Sequence, residues 1–246
     1  MKIVLILLVS ILLHARDIRI AVAANASYVI QDLKKAFHKH HPQTNIQVIL
    51  GSSGKLTAQI RNGAPYMLFM SADMKYPQKL YQDGIAITKP IVYAKGSLAY
   101  LSAKKRDFSL GTKLLTQKEI KKIAVANPKT APYGIATQEA LQKSGIYESI
   151  KHKFVYGESI SQTLTYAIKA ADIGFIAKSA LYSPHMTQYK KGIHWSDVNP
   201  KLYKPIDQGI VILKSAKANS EVEAFYTFIQ SEEAKKILKE YGYQTP

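Results

Sequence analysis

The residues best suited to chemistry in this chain are small, neutral and placed at turns. Leu50-Gly51-Ser52-Ser53-Gly54-Lys55-Leu56 sets two glycines and two hydroxyls between an alternating apolar run (Ile46, Val48, Leu50) and a pair spaced by four, Leu56 and Ile60. The alternation predicts a strand, and the spacing of four predicts the buried face of a helix. The hydroxyls therefore fall at a strand-to-helix junction. There the first backbone N–H groups lack helical partners and the helix dipole is positive, which suits an anion. Ala23-Ala24-Asn25-Ala26-Ser27 forms a second junction of the same kind upstream. Two neutral, donor-rich helix starts in adjacent βα units predict a protein that wraps an oxyanion in hydrogen bonds, without metal or counter-charge.

Other chemistries need patterns that these residues depart from. A nucleotide phosphate loop has four residues between its glycines and Ser or Thr after the lysine. Here two residues intervene and Leu56 follows Lys55. A hydrolase elbow reads G-x-S-x-G, whereas this chain reads Gly-Ser-Ser-Gly and has no suitable histidine loop. A tight turn N-capped by serine is the plainest alternative. His38, His40 and His41 precede Pro42 at a helix end, where the dipole favours them; no acidic or histidine partner for a metal is evident. Asp73 follows Ser71-Ala72 and reads as the cap of the next helix rather than as a catalytic carboxylate. The 16 tyrosines raise a ferric-ion site as a competitor, because iron(III) favours phenolate oxygen, but no adjacent Tyr-Tyr pair supports it.

Composition narrows the classes further. The 246 residues suffice for one large domain or two small ones. The net charge of +17 is spread along the chain, and its longest basic tract is Lys104-Lys105-Arg106. With no recognisable nucleic-acid module, this reads as a solvated basic surface and predicts no nucleic-acid partner. The absence of cysteine excludes disulfides, thiolate metal sites, a cysteine nucleophile and a lipid anchor on cysteine. Met1-Lys2, the apolar run from Ile3 to Leu13 and the small residue Ala15 predict a secretory signal over residues 1–15. The mature chain is then exported and begins near Arg16.

The elements that must position these residues follow from periodicity. The first series is a strand at 19–24, a helix through Val29, Leu33 and Phe37 ending before Pro42, a strand at 46–50, a helix at 54–62, a strand at 67–70 and a helix at 75–82. This alternation predicts a parallel sheet with helices on both faces. Residues 91–95 and 98–102 read as extended, and 103–117 as an irregular connection. A second series follows: a strand at 123–126, a loop at 127–134, a helix at 135–143, a strand at 154–156, a helix carrying Ile160, Leu164 and Ile168, and a strand at 172–177. Near the end, 206–213 reads as extended. Ser220 and Glu223 form a capping box opening a helix at 221–230, and a last helix opens at Glu232 and Glu233 and closes at Gly242. The chain passes between the series near 92–97 and back near 205–210. The expected fold is therefore α/β: two similar βα domains with central sheets, a hinge and a cleft. Residues 16–94 and 208–246 form domain I, and 95–207 form domain II. Ligands bind open α/β sheets beyond the strand C-termini, so the donor-rich junctions face the cleft.

Several segments taken together carry a family resemblance. They are Ala23-Ala24-Asn25-Ala26-Ser27, Gly51-Ser52-Ser53-Gly54-Lys55-Leu56 with Gln59-Ile60, Gly63-Ala64-Pro65, and Leu68-Phe69 with Ser71-Ala72-Asp73. Ala126-Asn127-Pro128, Ala131-Pro132-Tyr133-Gly134, Glu139-Ala140-Leu141 and Gly174-Phe175-Ile176 continue the series in order. The chain resembles the periplasmic molybdate-binding proteins of bacterial ABC importers over nearly all of its mature length. The resemblance implies a type II periplasmic-binding-protein-like fold that closes on molybdate or tungstate, with no further cofactor, no direct metal ligands and no enzymatic activity. It implies a monomer that delivers the oxyanion to a membrane permease. Carried over, the ligand positions fall on Asn25, on Ser53, and on the backbone N–H groups of Tyr133 and Ile160, with Ser52 and Ala26 beside them. Some members add a tyrosine hydroxyl where this chain has Ala177, and the Tyr133 hydroxyl is a candidate replacement. Tyr66-Met67 departs from the family's usual Ala-Asp. Sulfate, phosphate and ferric ion are the alternative ligands, and a hydrolase using Ser53 is the alternative activity.

Overall fold

The computed structural model describes residues 16–246, so the expected leader and its cleavage site lie outside the described residues. In chain order the first half contains β1 (Arg16–Ala23), α1 (Val29–His40), β2 (Thr44–Gly51), α2 (Ser53–Arg61), β3 (Leu68–Met70), α3 (Lys75–Gln82) and β4 (Ile91–Gly96). Next come β5 (Leu98–Leu101), β6 (Ile123–Ala126), α4 (Pro132–Lys143), α5 (Tyr147–Ile150), β7 (Phe154–Gly157), α6 (Ile160–Lys169), β8 (Ile173–Ala177) and β9 (Trp195–Asp197). The chain ends with β10 (Ile206–Ile212), α7 (Ser220–Ile229) and α8 (Glu232–Glu240).

Two five-stranded sheets organise these elements. The first has the order β2-β1-β3-β10-β4, and the second β7-β6-β8-β5-β9. Alternation along the strands explains the layers. Ile18, Ile20 and Val22 of β1 pack on one face with Leu33 and Phe37 of α1 and with residues of α7 and α8. Ala21 points the other way, toward Leu56 and Ile60 of α2 and Leu80 of α3. The second sheet repeats the plan. Ile123, Val125 and Phe175 pack against α4, while Ala99, Ala124 and Ile176 face Leu164 and Ala167 of α6. Each lobe is thus a sheet between helical layers, as a βα alternation requires. Among the described residues no helix is long and apolar enough to cross a membrane.

The strands of each βα series pair parallel as expected, β2-β1-β3 in one sheet and β7-β6-β8 in the other, and the extended segments outside the series make both sheets mixed. β10 returns from the second lobe and inserts antiparallel between β3 and β4. β5 enters the second sheet antiparallel to β8 and β9. Only Ser97 separates β4 from β5, so the crossing between sheets is abrupt.

Three local readings change. Helix α4 starts at Pro132 rather than 135, with proline in its first turn where no N–H is needed. The cap of α7 is Asn219, whose side chain accepts from the N–H groups of Glu221 and Val222 at 3.1 Å, so Ser220 is already helical. β9 and the one-turn α5 are too short for a periodic signal. The region 103–117 contains 3-10 turns from Phe108 to Thr116, broken at Gly111 with φ of 53°.

Candidate functional site

The strand C-termini of both sheets deliver chain to a single cavity between the lobes. Asn25 follows β1 on a 3-10 turn at Ala24–Ala26, Ser52 and Ser53 follow β2, Tyr133 lies in the first turn of α4, and Ile160 opens α6. All five line this cavity. The cavity is small, on the scale of a small ion and not of a sugar or nucleotide. Ala26 is buried but does not line this cavity. Ser27 lines an adjoining one together with Asn25 and Ala177.

The donors come from the ends of elements. Ser53, Tyr133 and Ile160 are the first or second residues of their helices, where no intrahelical acceptor exists. Among the described residues none accepts from their N–H groups. Ser53 is fully buried, and its Oγ accepts from the Ala72 N–H at 2.9 Å. Its hydroxyl proton therefore remains to be given. Ser52 Oγ is also buried and has no partner among the described residues. The lining includes no charged side chain, histidine or carboxylate. Three helix N-termini with neutral donors can hold an anion by hydrogen bonds alone.

A polar network stands behind this wall. Asn25 Nδ2 donates to Gln208 Oε1 and to the Tyr243 hydroxyl, each at 3.0 Å. The Tyr93 hydroxyl donates to Gln208 Oε1 at 2.9 Å, and Gln208 Nε2 donates to the Tyr133 hydroxyl at 3.2 Å. The Tyr133 phenol thus runs past the cavity to the crossing between sheets, where its hydroxyl sits against Gly96. Burial pushes the phenols of Tyr93 and Tyr133 well above their ordinary range, and the neighbouring Tyr243 adds to this. Burial raises Tyr243 to about 12. These phenols are engaged in hydrogen bonds with Gln208, Asn25 and Ser179. Among the described residues no group of three or more His, Asp or Glu could hold a metal ion.

The lobes meet around the cavity. Gly54 N–H donates to the Thr130 carbonyl at 2.9 Å. Ser161 Oγ donates to the Ala24 carbonyl at 2.8 Å, and Ser179 Oγ to the Asn25 carbonyl at 3.1 Å. At the rim Lys55 Nζ pairs with Glu158 at 2.5 Å, but both side chains are more than half exposed, so water screens the pair and its contribution is small.

The remaining candidates have structural roles. Asp73 Oδ1 accepts from the Tyr76 N–H at 3.2 Å and from Ser71 Oγ at 3.0 Å, which makes it a cap at the start of α3. Burial raises its pKa against these hydrogen bonds. His41 stacks on Phe37 and pairs with Glu221 at 3.3 Å. Tyr66 donates to Gln59 Oε1 at 3.0 Å and packs with the α2–α3 layer, so the departure at Tyr66-Met67 is away from the cavity. Sequence reasoning missed Gln208, Tyr243, Tyr93 and Thr130. Gln208 did carry a signal: it shares the parity of Ile206, Ile210 and Ile212, so it is the one polar residue at the alternate positions that are otherwise isoleucine.

Comparison with known proteins places this geometry. The model for bacterial extracellular solute-binding proteins matches residues 18–244. The molybdate-binding protein ModA of Azotobacter vinelandii is 36% identical over 94% of this chain and 90% of its own length. ModA of Rhodobacter capsulatus is also 36% identical, over 94% of this chain and 89% of its length. The solved Azotobacter vinelandii periplasmic molybdate-binding protein superposes with a TM-score of 0.85 at 31% identity, covering 93% of this chain and 99% of that one. The two-lobed α/β fold, the cleft of helix N-termini and these relatives agree: the chain belongs to the bacterial extracellular solute-binding proteins, a family of binding proteins rather than enzymes, in the branch that includes ModA.

Proposed function

We propose that this protein captures molybdate, and tungstate of the same shape, in the cavity between its lobes and delivers it to the permease of an ABC importer. The observation that carries this is the convergence of unpaired N–H groups and hydroxyls from both lobes on one buried cavity with no cation in its lining. A dianion there is held by charge-assisted hydrogen bonds. The relatives named as molybdate-binding proteins supply the identity of the anion.

In this reading the Ser53 hydroxyl, the Asn25 amide and the N–H groups of Tyr133 and Ile160 are the ligand donors, with Ser52 beside them. The metal is bound only as its oxyanion, and no resident cofactor is involved. Sulfate is also a tetrahedral dianion, so charge cannot separate the two, and cavity size must favour the larger molybdate. Residues 16–94 and 208–246 move as one body and 95–207 as the other, hinged where β4 and β10 run side by side. The chain is exported to the periplasm, is cleaved near Ala15, and works there as a monomer with no nucleic-acid partner. Calorimetric titration with molybdate, tungstate, sulfate and phosphate tests the reading. Tight binding of the first two and weak binding of the others is expected; equal affinity for sulfate overturns the assignment.

A further inference from the structure

The Asn25 amide is held from one end only. Its Nδ2 meets Gln208 Oε1 and the Tyr243 hydroxyl, while Oδ1, buried at the other end, has no partner among the described residues. Asn25 lines the cavity, whereas Gln208 and Tyr243 do not. An oxyanion beside Asn25 repels a carbonyl oxygen and attracts an N–H. A half turn of the amide gives the anion Nδ2 and turns Oδ1 toward Gln208 and Tyr243. Both can serve it. Gln208 offers Nε2 after the same half turn, which brings its Oε1 to the Tyr133 hydroxyl and lets Tyr93 accept. Tyr243 turns its hydroxyl proton to Oδ1 from the Asn25 carbonyl, which keeps the Ser179 hydroxyl as a donor. Amide ends are interchangeable in shape, and a phenol both donates and accepts, so the whole chain reverses direction with its heavy atoms in place.

The network is well built for this. Gln208 is completely buried, and the Tyr243 hydroxyl also lies within 3.1 Å of Ser179 Oγ and 3.0 Å of the Asn25 carbonyl. The C-terminal segment that carries Tyr243 is fastened to the end of β4 by paired backbone bonds between Lys95 and Gln244, at 2.7 and 3.1 Å.

We propose that Gln208 and Tyr243 are positioning residues that set which end of the Asn25 amide meets the bound oxyanion. The proposal rests on the reading of Asn25 as a ligand donor. Its test is a double-mutant cycle read by calorimetry with sodium molybdate. Asn25→Ala alone should weaken binding; if it does not, the site reading itself fails. Given that loss, Gln208→Leu and Tyr243→Phe should each weaken molybdate binding by about tenfold or more, the effect of turning one donor away from a charged acceptor. In the Asn25→Ala background both substitutions should have almost no further effect. Full additivity, or unchanged affinity in either single variant, overturns the positioning role while leaving the site intact. Melting curves without ligand check that each variant is folded. The unmutated protein gives an independent readout by nitrogen-15 NMR: molybdate should shift the side-chain NH2 signals of both Asn25 and Gln208 and slow their exchange. Movement of Asn25 alone refutes the coupled reversal.

Discussion

Ser53 accepts from Ala72 and has one proton left to give. Ser53→Ala should therefore cost about 1.5–3 kcal/mol of anion binding, the range for a hydrogen bond to a charged group. Ser27→Ala should cost little, because Ser27 lies in the adjoining cavity. Titration of both variants with molybdate checks the pair, and equal losses would misplace the site. Tyr133 makes the complementary case. Its hydroxyl is engaged by Gln208 beside Gly96, so Tyr133→Phe should keep most of the affinity, since the backbone N–H survives the change. The buried phenols also set a pH expectation. Their folded pKa values lie above the unfolded value of 10.0, so the folded state holds their protons longer than the unfolded chain does. Molybdate affinity should be flat from about pH 6 to 9, where these donors stay protonated. Stability should fall as pH rises past about 10 and the unfolded phenols ionise first. Calorimetry and denaturant unfolding across pH read the two effects.

At the scale of elements, the helix starts do two different jobs. Asn219 caps α7 by accepting two N–H groups, and Asn219→Ala should destabilise the fold by about 0.5–2 kcal/mol. Ser220→Ala should cost less in the same urea titration. The start of α2 serves the cleft instead. A Cβ on Gly54 would stand 2.6 Å from the Tyr76 hydroxyl and 2.9 Å from the Thr130 carbonyl of the other lobe. Alanine ordinarily favours a helix by about 0.5–1 kcal/mol over glycine. Gly54→Ala should therefore leave ligand-free stability level or slightly higher while weakening molybdate binding, because the lobes can no longer meet at Thr130. A drop in stability with affinity unchanged would contradict this.

For the whole molecule, capture and stability are linked. A ligand that binds only the folded state stabilises it by an amount set by its concentration relative to Kd. Molybdate should raise the melting temperature strongly and sulfate weakly at the same concentration, and scanning calorimetry reads both. Equal shifts would leave a general anion binder.

Much of this is legible in the sequence alone. The period-two and period-four patterns marked most strands and helices, and α3 and β6 fall where the patterns end. They did so because each element buries one face on its own sheet, and burial leaves its period in the sequence. The donor-rich turns were visible for a related reason: small residues beside helix starts are local features. The rest depended on contacts distant in sequence. Asn25 meets Gln208 and Tyr243 across 183 and 218 positions, and no local pattern encodes such a meeting. The antiparallel insertion of β10 and the path of the Tyr133 phenol into the crossing had the same character. Sequence alone determined that neutral donors gather at the ends of strands. Tertiary structure decided which of them share one cavity and which polar groups hold them there, because only packing sets the direction of a side chain.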